Sequence, residues 1–196
     1  MKKDQIIIHA IQKFTKFGSK SFTLDELASG LGISKKTIYK YFNTKEELVR
    51  ESVQYLLEKF LTEISDLNTS SNDSIETLIL IYKKGFEYLK HFKPSFLFGL
   101  KKYYPNAFKE FYSFRNYLVT KLIFDLLNTS KNNGDIRKDI NIQLVCDILF
   151  LRIDDVLFSE TSLFNKYSES EILNHLIINS LRGITSKNYT NKFFIE

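Results

Sequence analysis

Phe22-Thr23-Leu24-Asp25-Glu26-Leu27-Ala28-Ser29-Gly30-Leu31-Gly32-Ile33-Ser34-Lys35-Lys36-Thr37-Ile38-Tyr39-Lys40-Tyr41-Phe42 has the spacing of a helix-turn-helix. Thr23 and Glu26 fit a capping box, so a short helix starts after Thr23. Two short helices crossing steeply need a small residue where they touch, and Ala28 stands there. Gly32, four positions later, supplies the positive φ that the turn requires. Leu24, Leu27, Leu31, Ile33 and Ile38 provide the apolar contacts that fix the angle. Ser34 is placed to cap the next helix. That helix has Lys35, Lys36, Thr37, Tyr39 and Lys40 at its outward positions. Ammonium, hydroxyl and phenol groups are the types that reach phosphates and base edges in a major groove. The plainer alternative is a helical hairpin with a solvated basic face.

The charge of the chain favours the first reading. Of the 196 residues, 28 are Lys or Arg and 23 are Asp or Glu, a net charge of +5. Residues 1–50 hold ten basic and five acidic side chains, so the whole excess lies in the first quarter. A basic head on a neutral body suits nucleic-acid binding. With 43% apolar residues, the sequence reads as globular. No stretch approaches the ~18 uninterrupted apolar residues of a membrane span, and Met1–Ile11 is too short to read as a signal peptide. A cytoplasmic protein is expected. The single cysteine, Cys146, lies in an apolar run and reads as an inert core thiol.

Outward from the motif, apolar residues recur at helical spacing, and no long segment alternates with period two. The expected fold is all-α, with about nine helices. The first runs from about Lys3 to Phe17, with Gly18 as its C-cap. The third spans Lys35 to about Phe42. The fourth starts at a capping box, Thr44-Lys45-Glu46-Glu47, and its apolar stripe continues to about Ser65. A polar loop at residues 68–73 follows, then a fifth helix to about Phe92. Pro94 and Pro105 open the sixth and seventh, the latter ending near Leu127. Asn132-Asn133-Gly134-Asp135 is a turn. The last two helices cover about Ile142–Ser159 and Ser170–Ser186. The tail from Lys187 is polar except for Phe193, Phe194 and Ile195, and the sequence assigns it no role.

The motif, together with Thr44-Lys45-Glu46-Glu47-Leu48, resembles the DNA-binding region of TetR-family repressors over roughly Ile6 to Val53. The resemblance implies a helix-turn-helix DNA-binding domain at 1–46 and a ligand-binding and dimerisation domain at 47–196. By position, Thr37, Tyr39 and Lys40 would face the operator, with Lys35 and Lys36 at the helix start. Tyr41 stands where the family often has a histidine. Lys45 resembles the family's phosphate-clamping lysine, at a helix N-terminus that favours an anion. Gly134-Asp135-Ile136-Arg137-Lys138-Asp139 resembles a loop common before the penultimate helix of these proteins.

Residues 82–124 contain fourteen aromatic side chains. They read either as core packing or as the lining of an apolar pocket for a small molecule. The candidate lining residues are Phe60, Tyr82, Phe86, Phe108, Phe111, Tyr112 and Phe114. The eighth helix is apolar almost all round, and the ninth is similar, so both need cover on more than one side. In the family the last two helices pair with their copies in a four-helix interface. Leu149, Ile153, Ile177 and Leu181 are the dimerisation candidates. Arg152 with Asp154 and Asp155 reads as a structural ion pair or as a contact to a polar ligand. The scattered histidines (His9, His91, His175), and the lack of a Gly-rich phosphate loop or nucleophile elbow, argue against an enzyme. No metal or cofactor is expected. The partners expected are an operator in double-stranded DNA, a second copy of the chain and a small-molecule effector. The alternative is a ligand-independent or protein-gated DNA-binding module whose aromatic body is only a dimerisation core.

Overall fold

A computed structural model describes residues 3–18, 22–70, 73–158 and 162–194. Among them there are nine continuous helices and no strand. They are α1 (Lys3–Phe17), α2 (Leu24–Gly30), α3 (Lys35–Tyr39), α4 (Lys45–Ser70), α5 (Ser74–Leu89), α6 (Pro94–Tyr103) and three more. α7 runs through Pro105–Tyr117, a π-helical stretch Leu118–Ile123 and Phe124–Asn133 without a break. It is thus longer than the periodicity suggested. α8 is Ile142–Phe158. α9 joins Glu169–Leu173, a second π-helical stretch Asn174–Ile178 and Asn179–Arg182. Among the described residues, Gly18, Gly32 and Gly134 have positive φ, at 86°, 65° and 87°, where the sequence places a C-cap and two turns.

The chain forms two compact units, each discontinuous in sequence. The first contains residues 1–60 and 91–114, the second 61–90 and 115–196. The functional boundary expected at residues 46/47 therefore falls inside the first unit, whose segment 91–114 returns to the head.

In the first unit, α1 buries Ile6, Ile7, Ala10 and Phe14. Phe14 meets Phe22 edge-on at 4.8 Å between ring centres. Leu27, Ile38, Phe42, Leu48 and Val49 complete the core. α6 is tied back to α1 by the Lys93 amide, which donates to the Thr15 carbonyl at 3.2 Å. α7 meets α4 where Gln54 donates to Glu110 at 3.1 Å and the Phe60 and Phe114 rings pack at 6.1 Å.

In the second unit, α5 packs against α9 and the last part of α7. The loop after Gly134 is pinned to the end of α9: the Arg137 amide donates to the Ile184 carbonyl at 3.1 Å and its guanidinium to Gly183 at 2.6 Å. The tail has a structural role after all. Asp73 caps α5 through the amides of Ile75 and Glu76, and the Tyr189 hydroxyl donates to the Asp73 carboxylate at 2.7 Å. Asn191 adds a bond to Asp73 at 3.1 Å and Lys192 pairs with Glu76 at 2.6 Å. The tail thus clasps the start of α5.

Candidate nucleic-acid interface

The helix-turn-helix is built as its sequence dictates. The Thr23 hydroxyl accepts from the Glu26 amide, and the Glu26 carboxylate accepts from the Thr23 amide at 2.9 Å. Ala28 is buried at the crossing, and its carbonyl accepts from the Ile33 amide across the turn at 2.9 Å. The Ser34 hydroxyl accepts from the Thr37 amide at 3.2 Å and caps α3. Such a cap contributes about 1 kcal/mol to helix stability. At α4 the box differs from the expected one. Thr44 accepts from the Glu47 amide at 3.1 Å, but Glu47 reaches back to Asn43 rather than to Thr44.

These constraints leave one side of α3 and of the turn after it in solvent. Lys36 and Lys40 are exposed, and Tyr39 and Tyr41 are 47% and 38% exposed. Thr37 is half-buried, its hydroxyl 3.0 Å from that of Ser34. Lys35 is exposed but pairs with Asp25 at 2.9 Å, which holds its ammonium above the ordinary lysine value. Lys45 is turned inward. Its ammonium donates to the Phe22 carbonyl and lies 5.6 and 5.8 Å from the centres of the Phe22 and Tyr104 rings. Burial lowers its pKa, and Glu26 pulls the other way. One of its three N–H donors is thus engaged with the Phe22 carbonyl.

The division into units sharpens the charge argument. Over its full sequence, the first unit holds fifteen basic and eight acidic residues, a net +7. The second holds thirteen and fifteen, a net −2. The unit with the helix-turn-helix is the only net-positive one.

The model for bacterial regulatory proteins of the tetR family matches residues 6–52, the helices just described. Residues 6–52 carry the DNA-binding region of the TetR family. It is similar to the HTH-type transcriptional regulator YvaF of Bacillus subtilis, 27% identical over 191 residues, 93% of this chain and 96% of that protein. It is 24% identical over 147 residues, 74% of each chain, to the HTH-type transcriptional repressor KstR2 of Mycobacterium tuberculosis. Its fold matches the crystal structure of Bacillus subtilis FadR in complex with stearoyl-CoA, with a TM-score of 0.73 at 20% identity over 93% of this chain and 100% of that one. The chain thus carries a DNA-binding region of bacterial regulatory proteins, and both of these relatives are transcriptional regulators. Among the described residues, no helix is long and apolar enough to cross a membrane, and no group of three or more His, Cys, Asp or Glu side chains is placed to hold a metal.

The candidate ligand residues divide between the units. Phe60, Phe108, Phe111, Tyr112 and Phe114 belong to the first, Tyr82 and Phe86 to the second. Phe60 and Phe111 are buried and Phe114 half-buried. Tyr112 is 46% exposed, so the enclosed position expected for it is corrected to a surface one, beside Phe108. In the second unit Phe86 is buried against Phe164, a neighbour the sequence did not suggest. The buried Tyr82 hydroxyl has no hydrogen-bond partner among the described residues. Burial raises its pKa, the nearby Cys146 adds to the rise and Arg115 opposes it. Arg115 itself is buried, pairs with Asp154 at 2.5 Å and lies 4.6 Å from the centre of the Phe150 ring. The ion pair expected around Arg152 thus forms instead from Asp154 to α7, and Arg152 donates to Ser180 at 2.8 Å.

The dimerisation candidates need correction. Leu149, Ile177 and Leu181 are buried within the single chain, and Ile153 is half-buried. The first three are core residues. The outward row of α8 is Leu144, Ile148 and Leu151, which are 53%, 41% and 64% exposed. A helix apolar on every side does not reveal from sequence which row its own chain covers.

Proposed function

We propose that this protein is a homodimeric repressor that binds a pseudo-palindromic operator and leaves it when a small apolar or aromatic molecule enters the helical body. The observation that carries the reading is the braced helix-turn-helix with Lys36, Tyr39, Lys40 and Tyr41 outward, on a unit of net charge +7. Lys35, Thr37 and Lys45 flank that face. Its second copy seats on Leu144, Ile148 and Leu151. These recur at i, i+4 and i+7 along one side of α8, the spacing of a helix-pairing stripe. The stearoyl-CoA bound to the FadR structure supports an effector with a long apolar part. The effector meets Tyr82 and Phe86, and the Tyr82 hydroxyl donates a hydrogen bond to an acceptor on it. Two recognition helices must sit about 34–36 Å apart to enter grooves one turn apart. A small tilt of α4, which carries Lys45 at its start, breaks that spacing.

The test is selection of duplexes from a randomised pool by the purified protein. An inverted repeat with half-sites about one helical turn apart is expected; recovery of no common sequence overturns the reading. A fatty acyl thioester then tests the effector step. Coupling is reciprocal, so the selected duplex must weaken acyl-thioester binding by the factor with which the thioester weakens duplex binding. Equal thioester affinity with and without the duplex removes that step and favours a ligand-independent DNA-binding module.

A further inference from the structure

We infer that the corner between α6 and α7 is a second phosphate-binding surface for the operator, with Lys101 and Lys102 as its cations. The inference rests on the DNA-binding reading above and extends it beyond the helix-turn-helix. Residues 90–109 contain five lysines and no acidic residue. The contacts of the corner place it at the start of α4, the element that follows the recognition helix. The Tyr104 ring lies 5.8 Å from the Lys45 ammonium, and the Asn106 amide donates to the Glu46 carboxylate at 3.0 Å.

Lys101 and Lys102 lie in the last turn of α6, just before Tyr104, and both are exposed. Among the described residues neither has an acidic partner. The Lys101 ammonium instead lies 5.8 Å from the centre of the Phe108 ring, and that of Lys102 lies 5.5 Å from that of Tyr103. Two uncompensated cations resting on rings are held near the surface and keep their charge for a polyanion. Tyr103, 39% exposed, adds a phenol of the kind that bonds phosphate. Duplex DNA is the polyanion already engaged by this unit, and a corner fixed to the first turn of α4 extends the same electrostatic footprint.

Each lysine that neutralises a phosphate contributes about 0.9 to the slope of log affinity against log salt. The experiment compares wild type, K101Q/K102Q and K101R/K102R for binding to the selected duplex and to a random duplex. K101Q/K102Q removes two lysines from each copy of the dimer and is expected to lower the slope by about 3.6 and to weaken both duplexes by the same factor, about tenfold or more at 0.1 M salt. K101R/K102R keeps the charges and is expected to match wild type. An unchanged slope in K101Q/K102Q overturns the inference while leaving the helix-turn-helix reading intact. A slope reduced equally by the arginine variant overturns it too, because charge is then not the cause. If wild type shows no salt-dependent binding to either duplex, the proposed function itself fails.

Discussion

The helix-turn-helix at residues 22–45 and the helices α8 and α9 are both rich in apolar side chains, yet their faces are decided differently. In the first segment every orienting residue has a local reason. Thr23 and Ser34 cap, Gly32 takes φ 65° and Ala28 fits the crossing, so Lys36, Tyr39, Lys40 and Tyr41 are left facing outward. In the second segment apolar residues occupy nearly every angle of α8, and only packing within the folded chain selects Leu149 inward and Leu151 outward. Local chemistry fixes a face from sequence, whereas an all-round apolar helix leaves the choice to its neighbours.

The contrast can be broken most severely at the outward row. Replacing Ile148 and Leu151 with Glu is expected to give folded monomers in sedimentation. Operator affinity should fall about 10²–10⁴-fold, since the second half-site no longer binds intramolecularly. A dimeric double variant means the copies meet elsewhere.

Ile177, fully buried, probes the opposite face. Ile177→Ala should lower unfolding stability by about 2–5 kcal/mol in denaturant while leaving the oligomeric state alone. Loss of the dimer without loss of stability would place Ile177 at the interface instead.

A smaller effect is expected at Cys146, whose thiol burial pushes up to about 11 from 9.0. The unfolded thiol ionises first, so the unfolded state holds fewer protons between pH 9 and 11. Stability conferred by the buried neutral thiol is therefore complete below pH 9 and falls as pH rises through that window. Cys146→Ala should flatten this part of the stability–pH curve; an unaltered curve would show that the thiol does not ionise on unfolding in this range.

The sequence was most legible where a residue type has few physical uses. The three glycines of positive φ, the cap at Ser34 and the capping box at Thr23 were all readable. Less legible was anything set by contact between distant segments. Nothing in the spacing of Tyr189, Asn191 and Lys192 announces that they close over Asp73 and Glu76. Asp154 carries no mark of its partner Arg115, and Arg152 offered a nearer one. Lys45 shows the same limit on a smaller scale. Its position at the start of α4 was readable, but its engagement with the Phe22 carbonyl depends on how α1 to α3 close against it.

The difference in charge between the units leads to the most direct measurement of the account. Operator affinity is titrated against salt for wild type, for Lys36→Gln/Lys40→Gln in the first unit and for Lys121→Gln/Lys138→Gln in the second, all four lysines being exposed. The first pair, lost from both copies of the dimer, is expected to lower the slope by about 3.6 and the second to leave it at the wild-type value. Equal slopes for the two pairs, whether both reduced or both unchanged, would contradict the assignment of DNA binding to the first unit.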